Sequence, residues 1–317
     1  MTEPSDAPLR IAVCICTRNR PGALARALAS IVRSRCAAAV TVVSDDSDDE
    51  MAGRVAEVCA RAGTEVRYVR GPRRGLGANR NHALRAVLDV VDAVVFLDDD
   101  AELRPEFLGR AGALCADHGL RSVVTGCEMK GGQLIVPRNP TFLGHQERPI
   151  QSGRTMAVVI NATIFPMAVF RQVQFDECLR YGYDEVDMAA QTVCSGFSIV
   201  WCADLVNDHF PAAANREEYR LVEEASRLYA TYKRYRWVTR RPFVAGAYAM
   251  LGPAHCVVHG LLHGGIGGAV AGFGSVVRAA SFVGVERVRR RGLTPPPNAK
   301  GGGGGASRSA RLPFRGG

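Results

Sequence analysis

The stretch VVFLDDDAEL, residues 94–103, sets a short apolar run against three consecutive aspartates and a polar exit. A run of that length, bounded by polar residues, reads as a buried strand. Carboxylates packed so closely repel one another, so the cluster costs stability unless a cation or protons compensate. The plainer alternative is a solvated turn that caps a helix, where Asp is favoured. The surrounding segments decide between the two.

Upstream, strand-like and helix-like segments alternate. IAVCIC (11–16) is followed by RPGALARALASIVRS (20–34), with apolar residues at helical spacing and Pro21 suited to a first helical turn. Next come AVTVVS (39–44), helix-like DEMAGRVAEVCARA (49–62), strand-like EVRYVR (65–70), the loop GPRRGLG (71–77), helix-like ANRNHALRAVLDVV (78–91) and AVVFL (93–97). The pattern predicts an α/β fold with a mostly parallel, Rossmann-like sheet covered by helices on both faces. In such sheets ligands gather at the carboxyl ends of the strands. Each unusual polar cluster falls at one of these ends: CTRNR, SDDSDD, GPRRGLGANRN and DDDAE. That coincidence favours a site over a mere cap.

Downstream, RSVVTGCEM (121–129) and TMAVVINATIFP (155–166) read as strands, YGYDEVDMAAQTVCSG (181–196) as a helix entered through acidic residues, and FSIVWCADLV (197–206) as a strand ending at NDHF. The expected organisation is an α/β domain over 10–215 and a helical C-terminal extension over 216–292. Residues 1–9 are expected to be disordered, as is the Gly/Arg tail 293–317 with its five-glycine run.

The extension is unusual. Residues 242–277 contain no Asp, Glu, Lys or Arg, while Gly260, Gly264, Gly268 and Gly272 repeat every four residues beside His255, His259 and His263. A glycine stripe permits close helix–helix approach. Basic clusters lie on both sides, Lys233 to Arg241 and Arg287 to Arg291, and a single crossing would export one of them against the positive-inside tendency. The expectation is a helical hairpin that packs on the α/β domain or lies on the inner membrane face. For the histidine stripe, packing is preferred over metal binding.

A formal net charge of +9 and a pI near 9.2 suit an anionic partner: a nucleotide, nucleic acid or an anionic membrane surface. The ten cysteines form no C-x-x-C pair and several sit in apolar runs, which points to reduced core thiols and a cytoplasmic protein. The polar start MTEPSDAPLR lacks the apolar core of a signal peptide.

Asp98 and Asp100 flank one residue, so in an extended segment both point the same way. Hard oxygen ligands at that spacing suit Mg2+ or Mn2+, which would also hold a diphosphate. Asp45 and Asp46 could accept hydrogen bonds from a base or ribose. The loop holding Arg73, Arg74, Gly75, Gly77 and Arg80 offers guanidinium forks and close backbone approach for phosphates.

With these pieces in order (IAVCICTRNRP, VVSDDSDD, GLGANRNHAL, VVFLDDDAEL, LRYGYDEVDMAAQ and a final strand ending in NDHF) the chain resembles the family 2 glycosyltransferases over roughly residues 10–210. The resemblance implies a GT-A fold and inverting, hexosyl-type transfer from a nucleotide-diphosphate sugar, with Mg2+ or Mn2+ as cofactor. By motif, it assigns Thr17, Arg18 and Asp45 to the nucleotide base, and Arg74 and Arg80 to base or phosphate. It assigns Asp98, Asp100 and His209 to the metal, with Asp99 beside them. Glu185 and Asp184 match the acidic pair that holds the catalytic base; Glu185 is favoured and Asp184 is its rival, because the order here is Asp-Glu where Glu-Asp is commoner. Arg18 stands where an aromatic is common, and the glycine usual after the second strand's aspartates is absent. The expected partners are the sugar donor, a hydroxyl acceptor (glycan, lipid-linked or small molecule) and an anionic membrane surface, with nucleic acid excluded. Two rivals stay open: a nucleotidyltransferase of similar fold, and a noncatalytic nucleotide-sugar-binding protein.

Overall fold

The computed structural model describes residues 9–150, 155–211 and 216–292. The expected disordered segments, 1–8 of the start and the tail 293–317, lie outside the described residues. In chain order the elements are β1 (Ile11–Thr17), α1 (Pro21–Val32), β2 (Val40–Asp45), α2 (Asp49–Ala60), β3 (Val66–Arg70), α3 (Leu76–Arg85), β4 (Ala93–Asp98) and β5 (Ala101–Glu102). They continue with α4 (Phe107–Asp117), β6 (Ser122–Lys130), β7 (Gln133–Ile135), β8 (Arg138–Pro140), β9 (Gln146–Pro149), β10 (Thr163–Pro166) and α5 (Met167–Phe170). Last come α6 (Asp184–Cys194), β11 (Ser198–His209), α7 (Arg216–Lys233) and α8 (Pro242–Arg290).

The main sheet runs β3-β2-β1-β4-β10-β6-β11-β5, with β7 on the edge of β6. Strands β1 to β4 are parallel, as the alternation predicts, and β10 is antiparallel to both of its neighbours. Alternate residues of β1 feed opposite layers. Ile11, Val13 and Ile15 pack under α1, α2 and α4, while Ala12 and Cys14 pack with Phe96, Phe165, Phe170 and Phe175 on the other face. This two-sided burial is why β1 and β4 are apolar at every position before their last residue.

Two segments differ from the sequence reading. Of 155–166, only Thr163–Pro166 is strand; Ile160–Ala162 forms a 3-10 turn, because Asn161 turns its amide onto Asp98 and Glu128. The helical extension expected over 216–292 is not continuous: its first helix closes at Lys233 and widens into a π-helical turn over Arg234–Val238.

The extension is a hairpin. Gly265 breaks α8 with φ of 59°, and the arms return so closely that a Cβ at Gly260 would collide with the Gly268 carbonyl, and one at Gly268 with that of Gly260. Its base packs with α7 in a separate core built from Tyr229, Tyr248, Ala279 and Phe282.

Candidate active site

The register of the parallel strands assembles the site. Cys16 lies opposite Asp98 and Thr17 opposite Asp45, so the ends of β1, β2 and β4 stand side by side. The short strand β5 then pairs antiparallel with β11 and sets His209 across from Ala101, beside the aspartate turn.

Each aspartate of the triplet has a different environment. Asp98 takes Arg80 Nη2 at 2.9 Å and Asn161 Nδ2 at 3.1 Å, while its backbone N–H donates to Asn161 Oδ1 at 2.7 Å. Asp99 is buried and accepts the Thr17 hydroxyl at 2.7 Å and Arg20 at 3.2 Å; burial still pushes its carboxyl up to about 6. Asp100 accepts Arg20 at 2.9 Å and faces His209 Nε2 at 3.2 Å. The other imidazole nitrogen meets Glu128 at 2.8 Å. Burial alone would lower the His209 pKa, but hydrogen bonds to Asp100 and Glu128 carry it up to about 10.

Among the described residues, Asp98, Asp100 and His209 each bring one ligand atom within 4.8 Å of the others. Two carboxylate oxygens and an imidazole form a donor set that suits Mn2+ or Mg2+. Glu128 fixes the ring through Nδ1 and leaves Nε2 toward Asp100, the outer support that a ligating histidine requires. The residues present fit a divalent ion.

Across the cleft, α6 enters through Gly182 and Tyr183, both at positive φ. Asp184 is buried against Arg80, whose two terminal nitrogens thus bridge it to Asp98; the Arg80 guanidinium also lies 5.5 Å from the Phe175 ring centre. Glu185 is half-buried and takes Gln146 Nε2 at 3.3 Å from the β9 side. Burial, then the Asp184 and Glu128 charges, push its carboxyl up to about 7 against the pull of Gln146 and Arg80. The two members of the acidic pair therefore have separate environments: Asp184 is buried against a cation, and Glu185, half-buried, has the neutral Gln146 amide as its partner.

The remaining expected residues are placed less centrally. Asp45 is fully buried and accepts Ser47 N, Tyr68 Oη and Arg70 at 2.8, 2.8 and 3.0 Å, so its oxygens serve the protein itself. Asp46 accepts Arg73 N at 2.8 Å, and burial raises its pKa. Asp48 caps α2 through Met51 N. Arg18 is exposed, and Arg74 pairs at the surface with Glu177 at 3.1 Å. Arg80 is turned inward, not toward a solvent-facing phosphate site. The loop glycines also act differently from the phosphate cradle expected of them. Leu76 N and Gly77 N donate to the carbonyls of Arg180 and Leu179, and Gly75, at φ of 101°, leaves only 2.8 Å between a would-be Cβ and Arg180. Those glycines let α3 press against the segment that leads into α6.

Arg20, Glu128, Asn161 and Gln146 are absent from the sequence-derived site. Arg20 closes the polar cluster CTRNR, Glu128 lies near the carboxyl end of a strand, and Asn161 interrupts an apolar run, so each left a trace; Gln146 looks like an ordinary surface residue in the chain.

The sequence model of glycosyl transferase family 2 matches residues 12–172, just over half of the chain. No curated protein matches it. Among solved structures, GalNAc-T7 with UDP, GalNAc and Mn2+ superposes with a TM-score of 0.62 at 12% identity, over 92% of this chain and 59% of that one. The mannosyltransferase PcManGT from Pyrobaculum calidifontis, in complex with GDP-Man and Mn2+, gives 0.56 at 16% identity, over 90% and 88%. S. aureus TarS gives 0.50 at 16% identity, over 86% and 55%. The chain thus spans a little over half the length of TarS and GalNAc-T7, and these likenesses show a shared GT-A fold.

Proposed function

The chain belongs to glycosyl transferase family 2, and from that premise we propose that it is an inverting hexosyltransferase that uses Mn2+ or Mg2+. It moves a sugar from a nucleotide-diphosphate donor to an acceptor hydroxyl. The observation that carries this reading is the separation of the acidic pair by Arg80: the guanidinium ties Asp184 to Asp98 and leaves Glu185, pushed up to about 7, as the carboxylate able to take a proton.

Glu185 accepts the acceptor's hydroxyl proton as that oxygen forms its bond to the anomeric carbon. The bond from that carbon to the donor's phosphate oxygen breaks, and the electron pair leaves with the nucleoside diphosphate. One displacement inverts the anomeric centre. Gln146 orients the Glu185 carboxylate, and Arg80 holds the helix carrying it at a fixed position from the donor side. Asp98, Asp100 and His209 would hold the divalent ion, whose positive charge balances the diphosphate as it departs. Arg20, half-exposed beside Asp99 and Asp100, is the nearby cation able to turn toward the same phosphates.

All ten cysteines are free, which supports a cytoplasmic setting, and the basic flanks of the hairpin support a place at an anionic membrane surface. A panel of nucleotide sugars with Mn2+ tests the catalytic reading. Release of nucleoside diphosphate, with an inverted product by NMR, is the expected result; pyrophosphate release, or turnover unchanged in Glu185→Gln, would overturn it.

A further inference from the structure

The α8 hairpin extends beyond the protein that supports it. On the first arm the buried residues are Ala245, Tyr248, Gly252 and Cys256; on the second they are Gly272, Ser275, Ala279 and Glu286. Nothing between Cys256 and Gly272 is buried. From Cys256 to the break at Gly265 the arm rises roughly 13 Å, at about 1.5 Å per residue. Half the hydrocarbon thickness of a bilayer is about 15 Å. The projecting part therefore has the depth of one leaflet and is too short to cross two.

Its surface is apolar where a soluble protein would be polar. Leu262 is 75% exposed, Ile266 81%, Val270 66% and Phe273 62%. The last three follow one another at helical spacing on the second arm, and Met250, Leu251, Val258 and Leu261 add exposed apolar surface on the first. An apolar surface of this extent marks an interaction site. The charge pattern names the partner. The first cation after the tip is Arg278, which the close approach of Gly260 to Gly268 carries to about the level of Met250; Arg287 returns to about the level of Arg241. The exposed arginines 236, 240, 241, 278 and 287 thus gather at the base of the hairpin and the uncharged segment at its tip. A second protein would have to match the apolar tip and the cationic collar separately; a bilayer with anionic headgroups offers both layers at once.

We propose that residues 256–273 insert end-on into one leaflet of an anionic bilayer, with both ends of the hairpin on the same side. Insertion rests on the membrane-surface placement given above and deepens it from surface attraction to penetration. Anchoring through this arm also orients the site. His255 lies 6.0 Å from His145, ring centre to ring centre, and His145 precedes Gln146, which bonds Glu185. The acceptor side of the cleft is then held close to the lipid surface.

Flotation of the full chain with vesicles of phosphatidylcholine, alone or with 30% phosphatidylglycerol, tests this. The expected result is binding to the anionic vesicles that persists in 0.5 M salt and falls at least tenfold in Ile266→Asp/Phe273→Asp. Both positions are exposed, so circular dichroism and the rate of donor hydrolysis should not change. An Ile266→Trp chain should lose at least half of its added emission to lipids brominated on the acyl chains. Binding at low salt without that quenching would overturn insertion and leave surface attachment standing; no binding to either vesicle would overturn both. A dimer in lipid-free solution that Ile266→Asp/Phe273→Asp converts to monomer, with no vesicle binding, would assign the face to a second copy instead.

Discussion

Arg80 donates to Asp98 at 2.9 Å from a guanidinium that is itself only 3% exposed, with its other terminus on Asp184. A buried cation between two carboxylates cannot be removed without leaving both charges unpaired, at a cost of about 3–5 kcal/mol. Arg80→Met should therefore lower stability by about that amount in urea denaturation. Arg80→Lys, which keeps the charge but not the fork, should recover only part of it, and both should lose turnover. A stable, active Arg80→Met chain would mean that this bridge does not organise the site.

The acidic pair should separate in mutants as it does in space. Glu185→Gln is expected to reduce kcat by about 10²–10⁴ while donor binding survives. Asp184→Asn should instead lower stability, because it uncovers Arg80. The Glu185 carboxyl is raised to about 7, so it is neutral and unable to accept a proton below that pH. Transfer should then rise with pH through about 7 and level off above it. A profile that is flat from pH 5 to 8 would exclude Glu185 as the base.

Adding Mn2+ should stabilise the fold, by about 2.7 kcal/mol when the ion is at a hundredfold excess over its dissociation constant. Asp100→Asn should remove the effect. Glu128→Gln, which touches no ion but holds His209 Nδ1 and accepts from the Asn161 amide, should weaken Mn2+ binding by about 10–100-fold. Melting curves across a Mn2+ series distinguish these outcomes. Equal stabilisation of all three chains would place the ion elsewhere.

How much of this was legible in the chain depended on whether the signal was local. The sheet was readable because strand and helix periods alternate, and VVFLDDDAEL announced its own site because three adjacent carboxylates need an external reason. The roles within the site were less readable. Asp45 and Asp98 both end parallel strands, yet Asp45 is enclosed by Tyr68, Arg70 and Ser47 while Asp98 opens to the cleft. Nothing in either motif distinguishes the two, since the partners come from elsewhere in the sequence. Arg80 sits in a glycine-rich, basic loop of the kind that holds phosphate, but α3 begins at Leu76 and turns its side chain inward. Gln146 depended wholly on tertiary contacts, as did the pairing of Arg20 with Asp99 and Asp100.

The same dependence on distant contacts gives Lys233 its importance. Its ammonium lies 2.7 Å from both Asp176 and Asp187, all three are buried, and Tyr229 and Arg289 reach Asp176 at 2.6 and 3.4 Å. Burial alone would raise the Asp176 carboxyl, but the Lys233 charge holds it at about 2. Asp187 follows Glu185 by two residues in the first turn of α6, so this cluster fixes that turn against α7 and the end of the hairpin. Lys233→Met should cost about 3–5 kcal/mol and lower kcat more than it changes the donor KM, because the acceptor-side helix loses its anchor. Adding Asp187→Asn should cost less than the sum of the single changes by about 0.5–3 kcal/mol, since the second carboxylate no longer has a partner to lose. Full additivity in that cycle would show that Lys233 and Asp187 are neighbours without coupling, and the extension would then be an attachment to the catalytic domain, with no part in positioning its base.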